Sequence, residues 1–74
     1  MVFERIKEML EETVGEDIHI TPDVTLMADL SLDSLDIVEL ILDLEAEFGA
    51  ETFNEEREKI RTVADLVNLI EENM

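Results

Sequence analysis

The chain has 74 residues, of which 21 are acidic and five are basic, and its formal net charge at pH 7 is −16. Because phosphate recognition depends on Lys and Arg, this charge excludes nucleic acid as a partner and favours proteins that present basic patches. No apolar run approaches the roughly 20 residues that span a membrane, so we expect no membrane insertion. The absence of cysteine rules out disulfides and thiolate zinc sites. We expect a cytoplasmic monomer with no metal site.

The first predicted element is an amphipathic helix near the start of the chain. Its apolar residues recur at helical spacing and share one face: Phe3, Ile6, Leu10 and Val14. Gly15 follows the last of them and is a typical stop signal, because glycine readily adopts the conformation that ends a helix. We therefore expect the first helix to end at this glycine.

The connection that follows, residues 15–33, is long for a compact domain of this size. Connections of this length are uncommon unless they are functional or packed. This one is rich in apolar residues: Ile18, Ile20, Val24, Leu26, Leu30 and Leu32. We predict that it packs against the core, with a single helical turn at residues 27–30.

The second predicted helix spans residues 34–48, with Gly49 in the stop position, and it carries three stripes. The core stripe consists of Ile37, Leu40, Ile41, Leu44 and Phe48. The second stripe is wholly acidic and consists of Asp36, Glu39, Asp43 and Glu47. The third is apolar, lies away from the core centre, and consists of Leu35, Val38 and Leu42. A surface helix needs only the first stripe and some mixed polar residues.

An acidic stripe beside an apolar one is typical of a docking helix, because acids steer a basic partner and aliphatic side chains supply contact area. The alternative is that the long loop covers Leu35, Val38 and Leu42 and makes them ordinary core. The acidic stripe is harder to explain structurally. Like charges at i,i+4 spacing destabilise a helix by a few tenths of a kcal/mol each, and no Lys or Arg interrupts this one.

Two further helices complete the predicted fold. A short helix is expected near Asn54, capped by that residue, and a last helix is expected after Thr62, another capping residue. The inner face of the last helix is predicted to be Val63, Leu66, Val67 and Ile70. The sequence thus predicts one all-α domain over residues 1–74, a small bundle of three main helices plus one short helix, with a long packed loop between the first two.

Ser34 stands at the start of the second helix, where either Asp33 or Ser34 itself is a suitable cap. A serine nucleophile requires a nearby base, and the only histidine is His19 in the loop. A domain of this size also offers little space that excludes water. We therefore do not expect this chain to be an enzyme.

The run of residues 29–40, DLSLDSLDIVEL, closely resembles the signature of the acyl carrier protein family. The resemblance continues through residues 44–48, LEAEF, and extends over the whole chain, from residues 3–6, FERI, to residues 62–66, TVADL. It implies that Ser34 receives a 4'-phosphopantetheine arm from coenzyme A through a phosphopantetheinyl transferase that needs a divalent metal.

The resemblance also implies a function and partners. It implies that the arm holds acyl intermediates as thioesters and delivers them to fatty acid or related biosynthetic enzymes, acyl-transferring and chain-elongating, which carry basic docking patches. The positions that match the family's partner contacts are Asp33, Leu35, Asp36, Val38, Glu39, Leu42, Asp43 and Glu47. The residue pattern agrees, because a chain without cysteine must import the thiol that a thioester requires.

Two departures from the family pattern stand out. Ser31 occupies a position where the family usually has glycine, so the turn before Ser34 is expected to differ. The residues Thr52, Phe53 and Asn54 replace a usual Ile-Pro-Asp, and Phe53 is expected to fill the core space that an aliphatic residue leaves at Thr52. These changes bear on the acyl cavity more than on the carrier role.

The sequence can also be compared with the patterns of three other functions. A calcium-binding loop has ligand spacing at Asp29, Ser31 and Asp33, but Ser34 stands where the loop needs glycine and Leu40 where it needs glutamate. An acidic interaction domain that is never modified would have the same composition. A D-alanyl carrier, or another specialised carrier, also remains open.

Overall fold

The computed structural model describes residues 2–15 and 17–74, except for the side chain of Asn54. In this part the chain forms four helices: α1 (Val2–Val14), α2 (Ser34–Phe48), α3 (Asn54–Arg57) and α4 (Val63–Glu72). This confirms the predicted all-α fold of three main helices and one short one. Helices α1 and α2 both pack against α4, and the side chains between them form the core.

Helix α1 ends where the sequence predicted. Ile6 and Leu10 are buried against the core, and Gly15 follows with φ +97°, a conformation that glycine adopts without steric strain. The N–H of Gly15 donates to the carbonyl of Glu11 at 2.9 Å and closes the last turn. The prediction for this helix is therefore confirmed.

The loop between α1 and α2 is packed, as its apolar content predicted. Its side chains Ile20, Leu26, Leu30 and Leu32 are buried in the same core as the helices. Residues 26–30 form hydrogen-bonded turns at the place where a helical turn was expected. The carboxylate of Asp29 accepts the N–H of Thr25 at 2.9 Å and its hydroxyl at 3.0 Å, and these bonds hold the pKa of Asp29 below its usual value.

The loop is also tied to the start of α4. Leu26 donates its N–H to the carbonyl of Arg61 at 2.9 Å, and Val63 donates to Val24 at 3.0 Å, around an isolated bridge between Thr25 and Thr62. These backbone bonds satisfy groups that would otherwise be left unpaired in a long connection. The loop therefore has a fixed position relative to α4.

Helix α4 begins with a reciprocal cap, as Thr62 predicted. The N–H of Asp65 donates to the Thr62 hydroxyl at 3.2 Å, and the Asp65 carboxylate accepts the N–H of Thr62 at 3.1 Å and that of Arg61 at 3.0 Å. The backbone N–H of Thr62 contributes most to holding the pKa of Asp65 below its usual value, so this cap stays ionised at neutral pH.

The inner face of α4 differs from the prediction by one position. Leu69 is buried, whereas Val67 is only half-buried. The reason is that α4 packs against both α1 and α2, so its buried arc follows the i, i+3, i+6 and i+7 positions that lie between the two neighbours. Sequence periodicity alone does not indicate where that arc is centred.

The expectation for Phe53 was wrong. Thr52 itself is buried at 8% exposure, while Phe53 is 67% exposed and fills no core space. A buried hydroxyl requires a hydrogen-bond partner, and Nε of Arg57 donates to the Thr52 hydroxyl at 2.9 Å. A polar network thus takes the place of the expected aromatic packing.

Helix α3 begins at Asn54, but the predicted cap by its side chain lies outside the described part of the chain.

Candidate functional site

Ser34 is the first residue of α2 and is exposed to solvent. The cap of the helix is formed by its neighbours: the N–H of Asp36 donates to the Asp33 carboxylate at 2.8 Å, and the N–H of Asp33 donates to the Asp36 carboxylate at 3.2 Å. Within the described residues the Ser34 hydroxyl makes no hydrogen bond. Since the capping task is already met, this hydroxyl is available for reaction.

The turn that leads to Ser34 contains a residue in a backbone conformation that favours glycine. Ser31 has φ +59°, in the left-handed region that side chains disfavour. The next residue, Leu32, is buried and donates its N–H to the carbonyl of Leu26 at 3.1 Å, which fixes the approach to the helix. Ser31 therefore adopts a backbone conformation that glycine accepts without strain, and the expected difference from the family's turn stays a prediction.

On the α3 side of α2, Ser34 opens onto an apolar cleft of about 320 Å³. We call it the Ser34 cleft, and its lining residues are Met27, Ser34, Ile37, Val38, Arg57, Glu58 and Ile60. Met27 comes from the packed loop, and Ile60 from the segment after α3. A group attached to Ser34 could therefore lie against aliphatic side chains while its own attachment point stays in water.

On the α1 side, the same helix borders a groove of about 600 Å³. All four residues of the acidic stripe line it, together with Glu12 of α1, above a floor that includes Met9 and Leu40. We call it the acidic groove. Its cation is Arg5, whose Nε donates to the Glu47 carboxylate oxygens at 2.9 and 2.7 Å. The hydrogen bond to Glu47 and the charge of that carboxylate raise the pKa of Arg5.

The apolar stripe of α2 is on the surface. Leu35 is 72% and Leu42 50% exposed, and Val38 is half-buried at the edge of the Ser34 cleft. The alternative that the loop covers these residues is therefore wrong for both leucines. Exposed aliphatic side chains beside the Ser34 hydroxyl offer contact area to a partner protein.

Some of the acidic residues predicted to dock partners already form hydrogen bonds or ion pairs within the chain, and others do not. Asp33 and Asp36 are engaged in the helix cap, and Glu47 is engaged with Arg5. Glu39 and Asp43 are exposed, and within residues 2–15 and 17–74 neither forms an ion pair. These two carboxylates are therefore the ones most open to a basic partner.

Sequence reasoning missed four residues of the Ser34 cleft: Met27, Arg57, Glu58 and Ile60. Met27 and Ile60 lie outside the main helices, and in such segments the spacing of apolar residues does not indicate which way a side chain points. Arg57 was seen only as one of five basic residues, because its contact with α2 joins positions far apart in the sequence. Only the tertiary structure brings these side chains together.

The geometry does not support the calcium-binding alternative. The Asp29 carboxylate is already engaged by Thr25, and the Asp33 carboxylate by Asp36. In the described part of the chain, no group of three or more His, Cys, Asp or Glu side chains is placed to hold a metal ion. None of the described helices combines the length and apolar character needed to cross a membrane.

Comparisons with known proteins point to one family. A family model described as a phosphopantetheine attachment site matches residues 4–70. An acyl carrier protein of Thermotoga maritima is 39% identical over 74 residues, which cover 99% of this chain and 91% of that protein.

Two solved structures share the fold. A Mycobacterium tuberculosis protein provisionally described as an acyl carrier protein superimposes with a TM-score of 0.87 at 29% identity and 97% coverage of both chains. The crystal structure of a Thermotoga maritima acyl carrier protein superimposes with a TM-score of 0.78 at 26% identity, covering 99% of this chain and 91% of that one. The similarity in both cases extends over nearly the whole chain.

Proposed function

The chain belongs to the acyl carrier protein family, defined by its phosphopantetheine attachment site, and from this premise we propose that Ser34 is the residue that bears the 4'-phosphopantetheine arm. Members of this family are carriers and not enzymes. The assignment to Ser34 is carried by its hydroxyl, which is exposed at the first residue of α2, takes no part in the helix cap and lies beside an apolar cleft.

The residues around Ser34 fit such an arm. The first turn of α2 has backbone N–H groups without helical partners, which favour a phosphate. Asp33 and Asp36 oppose this attraction by their charge, so the phosphate is held by its covalent bond and the arm stays mobile. When bound, the arm supplies the thiol that this chain lacks and holds the acyl group as a thioester.

The two sides of α2 support different parts of partner docking. Glu39 and Asp43 in the acidic groove would attract basic patches, and the exposed Leu35 and Leu42 would be buried by the partner. The full set of proposed docking residues is Asp33, Leu35, Asp36, Val38, Glu39, Leu42, Asp43 and Glu47. The proposed partners are a phosphopantetheinyl transferase and acyl-transferring or chain-elongating enzymes.

The pathway belongs to the proposal as well. We place the chain in fatty acid or related biosynthesis, with a D-alanyl or other specialised carrier as the alternative. A panel of donors separates them, because a fatty-acid carrier accepts acyl groups from malonyl- and acyl-transferring enzymes, whereas a D-alanyl carrier accepts only an activated amino acid. Action in the cytoplasm as a monomer completes the proposal.

The modification itself is tested by intact mass. The purified chain is incubated with coenzyme A, Mg²⁺ and a phosphopantetheinyl transferase, and its mass is measured before and after. We expect the mass to increase by one arm in the original chain and in Ser31→Ala, and to stay unchanged in Ser34→Ala. If the original chain gains no mass, the unmodified interaction domain is the correct function.

A further inference from the structure

The Ser34 cleft follows α2 for only a short distance. Its α2 residues are Ser34, Ile37 and Val38, which lie within about one helical turn, or roughly 5.4 Å along the axis. Ile41, the next inward residue, is fully buried and packed in the core. The apolar surface open to a group at Ser34 is therefore confined to the beginning of the helix.

Arg57 closes the cleft on the side toward the C-terminal end of α2. Its side chain lines the cleft, and its guanidinium Nη2 donates to the Glu45 carboxylate at 3.1 Å. Glu45 lies seven residues beyond Val38, about 10 Å further along the helix axis. The Arg57 side chain therefore extends from the cleft toward Glu45, in the direction that a longer cleft would take.

Arg57 is held firmly in this position. Its Nε donates to the Thr52 hydroxyl at 2.9 Å, while the Glu45 carboxylate also accepts the N–H of Thr52 at 2.8 Å. The Arg57 and Glu45 side chains are only 21% and 14% exposed. Displacing Arg57 would leave a carboxylate in a poorly solvated place without its counter-ion, which is strongly unfavourable. An acyl chain cannot push this side chain aside without a large loss of stability.

We propose that Arg57, anchored by Glu45 and Thr52, limits the length of the acyl group that the chain can shelter, so that its cargo is a short acyl group. This inference rests on the proposed function. The acyl group is joined to the thiol of the arm and not to Ser34 itself, so the limit applies to the carbons that lie within the cleft. An extended hydrocarbon advances about 1.3 Å per carbon, so a cleft of one helical turn accommodates roughly four or five carbons. Carbons beyond that number remain in water or against a partner.

The test uses the chain loaded at Ser34 with straight acyl groups of two to twelve carbons, delivered by a transferase from the corresponding acyl coenzyme A. Two quantities are measured for each length of acyl group: the rate at which the thioester is hydrolysed, and the melting temperature of the loaded chain. Each methylene that enters the cleft favours the sheltered state by up to about fourfold. We expect protection and melting temperature to rise up to about five carbons and then level off.

A matched pair of variants assigns the limit to Arg57. The double variant Glu45→Gln/Arg57→Met removes both charges and keeps an oxygen that can accept the N–H of Thr52. We expect its plateau to move to longer chains by at least two carbons. Arg61→Met removes an exposed cation that does not line the cleft, and its plateau should coincide with that of the original chain.

The outcomes separate this inference from the proposed function. Mass spectrometry before the assay reports whether Ser34 carries the arm, and a chain that cannot be loaded overturns both. If loading succeeds but protection in the original chain keeps rising to twelve carbons, the inference alone is wrong. Such a rising profile overturns the inference even if the double variant does not fold. An unchanged plateau in a folded double variant would also overturn the role of Arg57.

Discussion

The two sides of α2 present opposite chemistry on one rigid helix. The acidic groove on the α1 side carries the carboxylates of Glu39 and Asp43 without ion-pair partners among the described residues. The Ser34 cleft on the α3 side is lined mainly by apolar side chains and contains Ser34. In our proposal this difference becomes a division of tasks, in which one side would attract a partner at a distance and the other would shelter what the chain carries.

The shared backbone of α2 makes this division possible. Ile37, Ile41 and Leu44 are buried in the core, so the helix cannot rotate to exchange its two sides. Its ends are also fixed, by the reciprocal cap of Asp33 and Asp36 and by Gly49, whose φ of +69° ends the helix. A charge on one side and a hydrophobic contact on the other are thus held at a constant distance from Ser34.

The largest effect should come from reversing charge in the acidic groove. Glu39→Lys/Asp43→Lys should lower kcat/KM for transfer of the arm by about tenfold or more at low salt, because the carboxylates steer a basic enzyme toward α2. The difference from the original chain should shrink as salt rises, since the screening length falls to about 3 Å at 1 M. Initial rates over a salt series measure both quantities.

The matched control is Glu71→Lys/Glu72→Lys at the end of α4. These exposed residues line neither the groove nor the cleft, and the double reversal changes the net charge by the same amount. We expect a much smaller loss. Equal losses from the two pairs would mean that net charge, and not the acidic groove, governs the encounter.

A smaller effect is expected from the apolar stripe. Leu42→Ala should raise the KM of the same transferase about fivefold, which corresponds to about 1 kcal/mol of lost contact. Unlike the charge reversal, this loss should be the same at low and high salt. Phe53→Ala is the control, because it truncates another exposed apolar side chain away from α2.

The same variant also checks the orientation of α2. Because Leu42 is 50% exposed, its truncation should change the free energy of unfolding by less than about 1 kcal/mol. Truncation of the fully buried neighbour, Ile41→Ala, should lower it by about 2–5 kcal/mol. Similar losses at the two positions would contradict the placement of the apolar stripe on the surface.

The helix cap should give a still smaller effect, and it separates two roles of Asp33. Asp33→Ala should lower the free energy of unfolding by about 1 kcal/mol, because the N–H of Asp36 loses its acceptor. Asp33→Ser removes the same charge but keeps a capping oxygen, so its stability should be close to that of the original chain. Urea unfolding measures the difference, and equal losses in the two variants would contradict the capping role.

The smallest effect is expected at Ser31, in the turn that precedes α2. Ser31→Gly should raise the free energy of unfolding by about 0.5 kcal/mol, because relief of left-handed strain exceeds the extra freedom of the unfolded glycine chain. Ser31→Ala keeps the strain and should give no such gain. Thermal unfolding of the three chains measures this, and a destabilised glycine variant would contradict the strain at Ser31.

The sequence predicted the helices well because their signals are local. The period of apolar residues and the stop at Gly49 placed α2 at Ser34–Phe48, and Thr62 marked the start of α4. The packed loop followed from its apolar content. The exposed stripe of Leu35 and Leu42 followed from helix geometry alone, since positions that rotate away from a full core stripe have little left to pack against.

The sequence could not predict features that depend on distant partners. The network of Glu45, Thr52 and Arg57 joins α2 to α3, and neither propensity nor periodicity specifies such a pairing. The exposure of Phe53 follows from that network, because Thr52 already occupies the buried position. The pairing of Arg5 with Glu47 is similarly invisible in the sequence, although it determines how much of the acidic stripe is open to a partner.

The most direct test of the account is to locate the arm on the original chain without any substitution. After incubation with coenzyme A and the transferase, fragmentation in the mass spectrometer between residues 31 and 34 separates the two serines of the turn. The account predicts that the whole added mass lies on the fragment that contains Ser34. An arm on Ser31, or on any other residue, would contradict it.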